Sequence, residues 1–131
     1  MGGEIIGNHG LPLKSLRRIK DVIGAFRSLE PNLPASYIDA FLAVALRPGL
    51  GPTDYASILG TIQPVASRTL MEIGKSARIR ATSLHLVESR PHPENRRQIM
   101  YHLTPKGYAL AYRVGMMLQG RQTPWEKQGT E

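Results

Sequence analysis

Residues 90–107, RPHPENRRQIMYHLTPKG, place a stiff turn, a short apolar alternation and a helix start in one continuous run. Two prolines restrict the backbone on the approach to an Asn at the turn, and two arginines follow it. The alternation over 97–103 predicts a returning strand. Thr104 and Pro105 then predict a helix with a capping Thr and a Pro at its first position. This run therefore predicts a β-hairpin that leads directly into a helix.

Four helical segments precede this hairpin. Apolar residues recur every three or four positions over 13–29, whereas 35–46 is apolar on most sides and is expected to be central. A short helix over 53–60 is followed, three residues later, by a helix over about 63–75. With a last helix over 105–118, this order predicts a mostly α fold with a small β-hairpin. It is a winged helix-turn-helix with one additional helix at each end.

These elements fit one domain over 13–119, because a chain of 131 residues is the size of an ordinary single domain. We expect the helix-turn-helix at about 53–75 and the wing at about 84–103. Residues 1–12 are interpreted as a loose N-terminal arm and 120–131 as a polar tail.

The charge balance favours a polyanionic partner. Lys and Arg number 17 against 10 acidic residues, a net charge of +7, which favours nucleic acid before an acidic membrane surface. A merely basic surface is the alternative. The absence of cysteine excludes disulfides, thiol redox sensing and cysteine zinc sites. Without a long apolar run or a secretory signal, we expect a cytoplasmic, nucleoid-associated protein with no membrane partner.

From Leu33 to Leu118 the sequence resembles the MarR-type transcriptional regulators. TDYASILGTIQPVASRTLMEI is similar to the small-residue turn and the Ser-Arg recognition helix of that family. LVESRPHPENRRQIMYHLTPKGYAL is similar to its wing and following helix, including the Leu-Thr-x-Lys-Gly pattern at 103–107. Asn95 replaces an Asp that the family usually carries two residues before the arginine of the wing tip. The C-terminal helical region is also short for the family.

The segment between recognition helix and wing is longer than is usual in the family, and it leaves two alternatives open. Residues 78–90 predict either a strand throughout or a helix that ends near Ser83 followed by a strand from 84, and the second is favoured. A later register, with the recognition helix near 75–86, also fits the sequence.

The candidate DNA-binding residues follow from the predicted positions of the recognition helix and the wing. Arg97 matches the tip arginine, which would enter a narrow, negative minor groove, while Arg90 and Arg96 would pair with phosphates. Polar residues at the start of the recognition helix would face the major groove, where Gln can pair with adenine and Arg with guanine. Two threonines could donate to phosphates, although capping is the favoured role for them. The full set is Gln63, Ser67, Arg68, Arg90, Arg96, Arg97, Thr53 and Thr61.

The terminal helices carry apolar stripes wider than one small core needs, and in the MarR-like family these helices pair two subunits. The alternative is that both stripes cover their own core. The candidate dimerisation residues are Leu16, Ile19, Ile23, Phe26, Leu110, Val114 and Leu118. The resemblance also implies a small aromatic effector in a cleft between the dimerising and DNA-binding parts. Tyr37, Phe41 and Tyr55 are candidates for its lining, although core packing is favoured for each.

No pattern in the sequence predicts catalysis. The four histidines lack metal-ligand spacing, and there is no Gly-rich phosphate loop, nucleophile elbow or suitably spaced carboxylate pair. We therefore expect no enzyme, no metal and no cofactor. The favoured function is a homodimeric repressor that binds double-stranded DNA. The alternative is a winged-helix module of a phage or plasmid nucleoprotein assembly, which would contact protein through the wing and have no operator specificity.

Overall fold

The computed structural model describes residues 10–74 and 84–120. These residues form five helices and one antiparallel hairpin, which confirms the predicted winged-helix class. In chain order the elements are α1 (Leu13–Arg27), α2 (Ala35–Leu46), α3 (Pro52–Leu59), α4 (Gln63–Glu72), β1 (Val87–Pro91), β2 (Ile99–Leu103) and α5 (Pro105–Leu118).

Helix α2 lies at the centre of the core, as its apolar composition predicts. Ala40, Phe41 and Val44 are fully buried, and the Phe41 ring meets Phe26 of α1 edge to face at a centroid distance of 5.7 Å. Buried side chains of α4, α5 and the wing base complete the same cluster. One core therefore joins the helix-turn-helix to the terminal helices.

The helix-turn-helix begins one residue earlier than predicted, and its threonines are not helix caps. Pro52 takes the first position of α3, and the Asp54 carboxylate accepts a hydrogen bond from the Gly51 N–H at 3.4 Å. Thr53 thus lies inside the first turn of the helix, and the N-cap of α4 is Ile62 rather than Thr61. The capping role predicted for both threonines is wrong. Pro52 begins α3 one residue before Thr53, since proline sets the helical φ and needs no N–H partner, whereas Thr61 lies one residue before the N-cap of α4.

Helix α4 ends at Glu72, three residues before the predicted end. Gly74 forms a parallel β-bridge with Val87, so the chain leaves the helix to meet the wing. The predicted helix extension to Ser83 falls on 75–83, outside the described residues. The described end of the alternative register, 84–86, is not helical.

The wing is a two-stranded hairpin with Val87 opposite Leu103 and Pro91 opposite Ile99. Its base is anchored by Tyr55 of α3, which is fully buried. The Tyr55 hydroxyl donates to the carbonyl oxygen of Arg47 at 2.6 Å, and its ring packs edge to face on Tyr101. The hairpin is consequently held at a fixed position beside the helix-turn-helix.

The junction between wing and α5 explains the Leu-Thr-x-Lys-Gly pattern. Thr104 caps α5, because its Oγ1 accepts a hydrogen bond from the Gly107 N–H at 3.0 Å. At Gly107 the helix passes so close to the chain before β1 that an added Cβ would lie 2.0 Å from the Leu86 carbonyl oxygen. The motif therefore caps a helix and permits its close approach to the wing.

Candidate nucleic-acid interface

The recognition helix α4 divides into a buried and an exposed face. Ala66, Leu70 and the following Ile73 are fully buried, whereas Arg68 is exposed on the far side of the helix. Glu72 is also buried, although its side chain carries a carboxylate. Burial, and secondarily the Glu72 charge, raises the pKa of Tyr37. Arg68 is thus free to reach outward, while Glu72 belongs to the inner side of the helix.

Two of the predicted base-reading residues bind each other. The Gln63 amide Nε2 donates to Ser67 Oγ at 2.8 Å, across one turn of the helix. Ser67 is half-buried, and Gln63 is exposed. This bond joins the Ser67 hydroxyl oxygen to one N–H of the Gln63 amide, so the two side chains are not independent of each other.

The wing tip is held by Asn95. Its Oδ1 accepts a hydrogen bond from the Arg97 N–H at 3.2 Å, and its carbonyl oxygen accepts one from the Gln98 N–H at 2.9 Å. These bonds need only an acceptor oxygen, so Asn serves here where the family usually has Asp. The turn presents Arg96 and Arg97 as exposed side chains at the end of the hairpin.

Three candidate residues from separate elements border one concave groove. Thr53 of α3, Gln63 of α4 and Arg97 of the wing tip line a groove of about 540 Å³. Thr61 lies nearby in sequence, in the turn before α4, and is half-buried. Donors from all three parts of the winged helix therefore converge on one surface.

Arg90 is placed elsewhere. Its Nε donates to the Glu88 carboxylate at 3.0 Å, and its side chain lines a different cavity, of about 450 Å³, between α2, the wing and α5. There, burial and then the Arg90 charge lower the pKa of His102, against an opposing effect of Glu88. The phosphate contact predicted for Arg90 has no support from this position, because an adjacent carboxylate already pairs with the guanidinium.

The predicted dimerisation residues divide into two groups. Leu16, Ile19 and Ile23 on α1, together with Leu118 at the end of α5, are exposed. Phe26, Leu110 and Val114 are 0%, 8% and 5% exposed, respectively. We correct their assignment, because side chains buried in their own subunit leave almost no surface for a second copy.

Core packing, the role favoured for the three candidate cleft residues, is confirmed for Phe41 and Tyr55. Both are fully buried, and the third candidate, Tyr37, borders a small cavity beside Leu33 and Leu84. Sequence reasoning also missed two exposed apolar residues on the recognition helix, Ile62 and Val65. The helical wheel of α4 carried that signal for Val65, which falls away from the core stripe, whereas Ile62 is exposed because it is the N-cap and precedes the first residue of the helix.

Within residues 10–74 and 84–120, no cluster of three or more potential metal ligands is present. In the same ranges, no helix combines the length and the apolar character that a membrane span requires.

No protein-family model and no curated protein matches the chain. Several solved structures do. RV1404 from Mycobacterium tuberculosis is 16% identical, covers 88% of this chain and 79% of its own, and has a TM-score of 0.62. The transcriptional repressor CouR, bound to a 23-mer DNA duplex, is 26% identical over 100% of this chain and 84% of its own, with a TM-score of 0.51. MarR from E. coli is 15% identical over 98% of this chain and 90% of its own, with a TM-score of 0.53. The chain therefore has the winged helix-turn-helix fold of the MarR-type transcriptional regulators, as the sequence resemblance predicted.

Proposed function

We propose that this protein is a sequence-specific regulator of transcription, of the repressor type, that binds double-stranded DNA as a cytoplasmic homodimer. The observation that carries the proposal is the shared groove, where Gln63 of the recognition helix and Arg97 of the wing tip face the same space. A duplex seated there would meet the recognition helix in its major groove and the wing in the adjacent minor groove.

The net charge supports this partner. Each subunit carries +7, and Arg68, Arg96 and Arg97 are exposed on the recognition helix and wing. Contacts between such side chains and phosphates release counterions, so affinity should fall steeply as salt rises. CouR, a transcriptional repressor to which this chain is similar in fold, binds a 23-mer DNA duplex.

A homodimer is supported by the exposed stripe of α1. Leu16, Ile19 and Ile23 are exposed along one face, and Leu118 of α5 is exposed where Arg18 of α1 donates to its carbonyl oxygen at 3.4 Å. Covering this face with a second copy would remove apolar surface from water. Two-fold symmetry then implies a palindromic site with half-sites about one helical turn apart.

We also propose that a small aromatic effector binds this protein, in a cavity other than the cleft that the sequence predicted. The cavity of about 450 Å³ between α2, the wing and α5 is lined by the rings of Tyr108 and Tyr112 and by His102 at the wing base. A ligand there would contact the wing base through His102, and so could alter the position of the wing.

Selection from random duplexes with the purified full-length protein tests the proposal. We expect enrichment of a palindrome, with binding that Arg97→Ala weakens by about 1–3 kcal/mol while circular dichroism stays unchanged. A nucleoprotein assembly module predicts no enrichment of any sequence. That result, or equal affinity of Arg97→Ala for the selected duplex at moderate salt, would contradict the proposed function.

A further inference from the structure

Two exposed apolar side chains occupy the start of the recognition helix. Ile62 is 65% exposed and Val65 is 47% exposed. The Val65 N–H donates to the Ile62 carbonyl oxygen at 3.1 Å, and Arg68 follows after three more residues. Side chains three positions apart are neighbours on one face of a helix. Val65 and Arg68 therefore lie on one exposed face of α4, and Ile62 is exposed at the N-cap, one residue before the helix begins. These three residues are termed here the 62–65–68 strip.

Neither folding nor helix formation accounts for the two apolar members of the strip. The core face of α4 is formed by Ala66, Leu70 and the following Ile73, which are fully buried. Branched side chains such as Val and Ile are weaker helix formers than Ala. Isolated exposed apolar residues are common on protein surfaces. Two of them close to an exposed arginine, at the start of the helix that the proposed function inserts into DNA, suggest a role in binding.

The major groove presents one apolar group on its base edges, the C5-methyl of thymine. The other groups that the bases present there are hydrogen-bond donors and acceptors, which an aliphatic side chain cannot satisfy. Arg68, at the end of the strip, supplies the donor for a neighbouring guanine or phosphate. The strip thus matches a duplex segment in which thymine lies next to a hydrogen-bonding partner of arginine.

We propose that Val65 and Ile62 determine sequence specificity by packing against thymine methyl groups in each half-site. This inference rests on the proposed function, because it requires α4 to lie in the major groove. It assigns direct contact with the bases to Val65 and Ile62, because Gln63 and Ser67, which were predicted for that role, are hydrogen-bonded to each other.

Replacement of single thymines by uracil in the selected duplex provides the test, since uracil lacks only the methyl group. The wild-type protein should bind about fourfold more weakly when the contacted thymine is replaced, the cost of one buried methyl group. Val65→Ala should abolish that difference at its position, and Ile62→Ala should abolish it at the neighbouring thymine. Leu46→Ala is the matched control, because Leu46 is a strongly exposed apolar residue of α2 and its truncation should leave the uracil penalty unchanged.

The possible failures are distinguishable. If a duplex is selected but no uracil replacement weakens binding, the methyl contact is overturned and the proposed function survives. A penalty that persists unchanged in both Val65→Ala and Ile62→Ala also overturns it. If no duplex is enriched at all, the proposed function is wrong, and this inference, which depends on it, is wrong as well. Circular dichroism of each variant shows whether the fold is retained.

Discussion

Of the glycines in the described part of the chain, Gly107 is the one at which an added Cβ would come closest to another atom. A Cβ at this position would lie 2.0 Å from the Leu86 carbonyl oxygen, which is itself held by the Thr104 N–H at 3.0 Å. Because the clash is with backbone, neither partner can move without displacing the wing or α5. We expect Gly107→Ala to lower the free energy of unfolding by about 3 kcal/mol, the upper part of the range for overpacking, measured by urea denaturation.

Gly115 provides the matched control on the same helix. In the described part of the chain, no atom outside its own helical surroundings lies within 4 Å of a Cβ added there. Gly115→Ala should therefore stabilise the protein by about 0.5–1 kcal/mol, since alanine is the better helix former. Equal destabilisation by the two substitutions would show that the close approach at Leu86 does not exist in solution.

His102 should make stability depend on pH. Burial, followed by the Arg90 charge, lowers its pKa in the folded protein, although Glu88 acts in the opposite direction. The unfolded chain, with a pKa of about 6.5, then binds the proton more readily than the folded one. The contribution of neutral His102 is complete above about pH 6.5 and is lost as the pH falls below it. In His102→Gln, the decrease of Tm between pH 7.5 and 5.5 should be smaller than in the wild type, and an equal decrease would argue against this role.

Among the elements, those bounded by local signals were predicted well. Helix α2 spans the predicted 35–46 because Pro34 precedes it and Arg47-Pro48 stops it, and both signals lie in the sequence itself. The end of α4 depends instead on the bridge between Gly74 and Val87, a contact made through tertiary structure. No helical period contains that information, which is why the prediction ran three residues too far.

The apolar stripes show a second limit of sequence reasoning. A helical period identifies which side chains avoid water, but not whether their own subunit or another copy covers them. Phe26, Leu110 and Ile19 all lie on the apolar stripes of the terminal helices. In the structure Phe26 and Leu110 are buried, whereas Ile19 is exposed. Similarly, the sequence placed Gln63 and Ser67 on one helix face without showing that they bind each other.

The recognition helix and the wing should contribute differently to DNA binding. Arg68 lies in the 62–65–68 strip, whereas Arg96 lies on the exposed hairpin turn, where the nearest groups of a bound duplex would be phosphate oxygens. We expect Arg68→Ala to lose roughly 1–3 kcal/mol on the selected duplex and little on a scrambled one. Arg96→Ala should weaken both duplexes equally and reduce the salt slope by about one.

Fluorescence anisotropy titrations of both duplexes at several salt concentrations make the comparison, with each variant serving as the control for the other. If Arg68→Ala weakens both duplexes equally, α4 is not the element that reads sequence.

At the scale of the whole molecule, the exposed stripe of α1 should hold two copies together. Ile19 is 53% exposed in the single subunit, so a carboxylate there costs little unless a second copy covers it. In a two-fold dimer the change occurs twice, and each buried charge without a partner should cost roughly 2 kcal/mol or more. We expect Ile19→Glu to be a folded monomer of 14.5 kDa by light scattering, and the wild type to have twice that mass at micromolar concentration. Arg17→Gln is the control, because it alters net charge by the same amount at an exposed position of α1 away from the stripe. It should remain dimeric.

The Ile19→Glu monomer should also bind the palindrome far more weakly than the dimer does. In the dimer, binding of one half-site places the second subunit close to the other half-site, so the second contact forms within the same complex. A wild-type protein that is monomeric at micromolar concentration, or an Ile19→Glu variant that stays dimeric, would exclude this face as the interface.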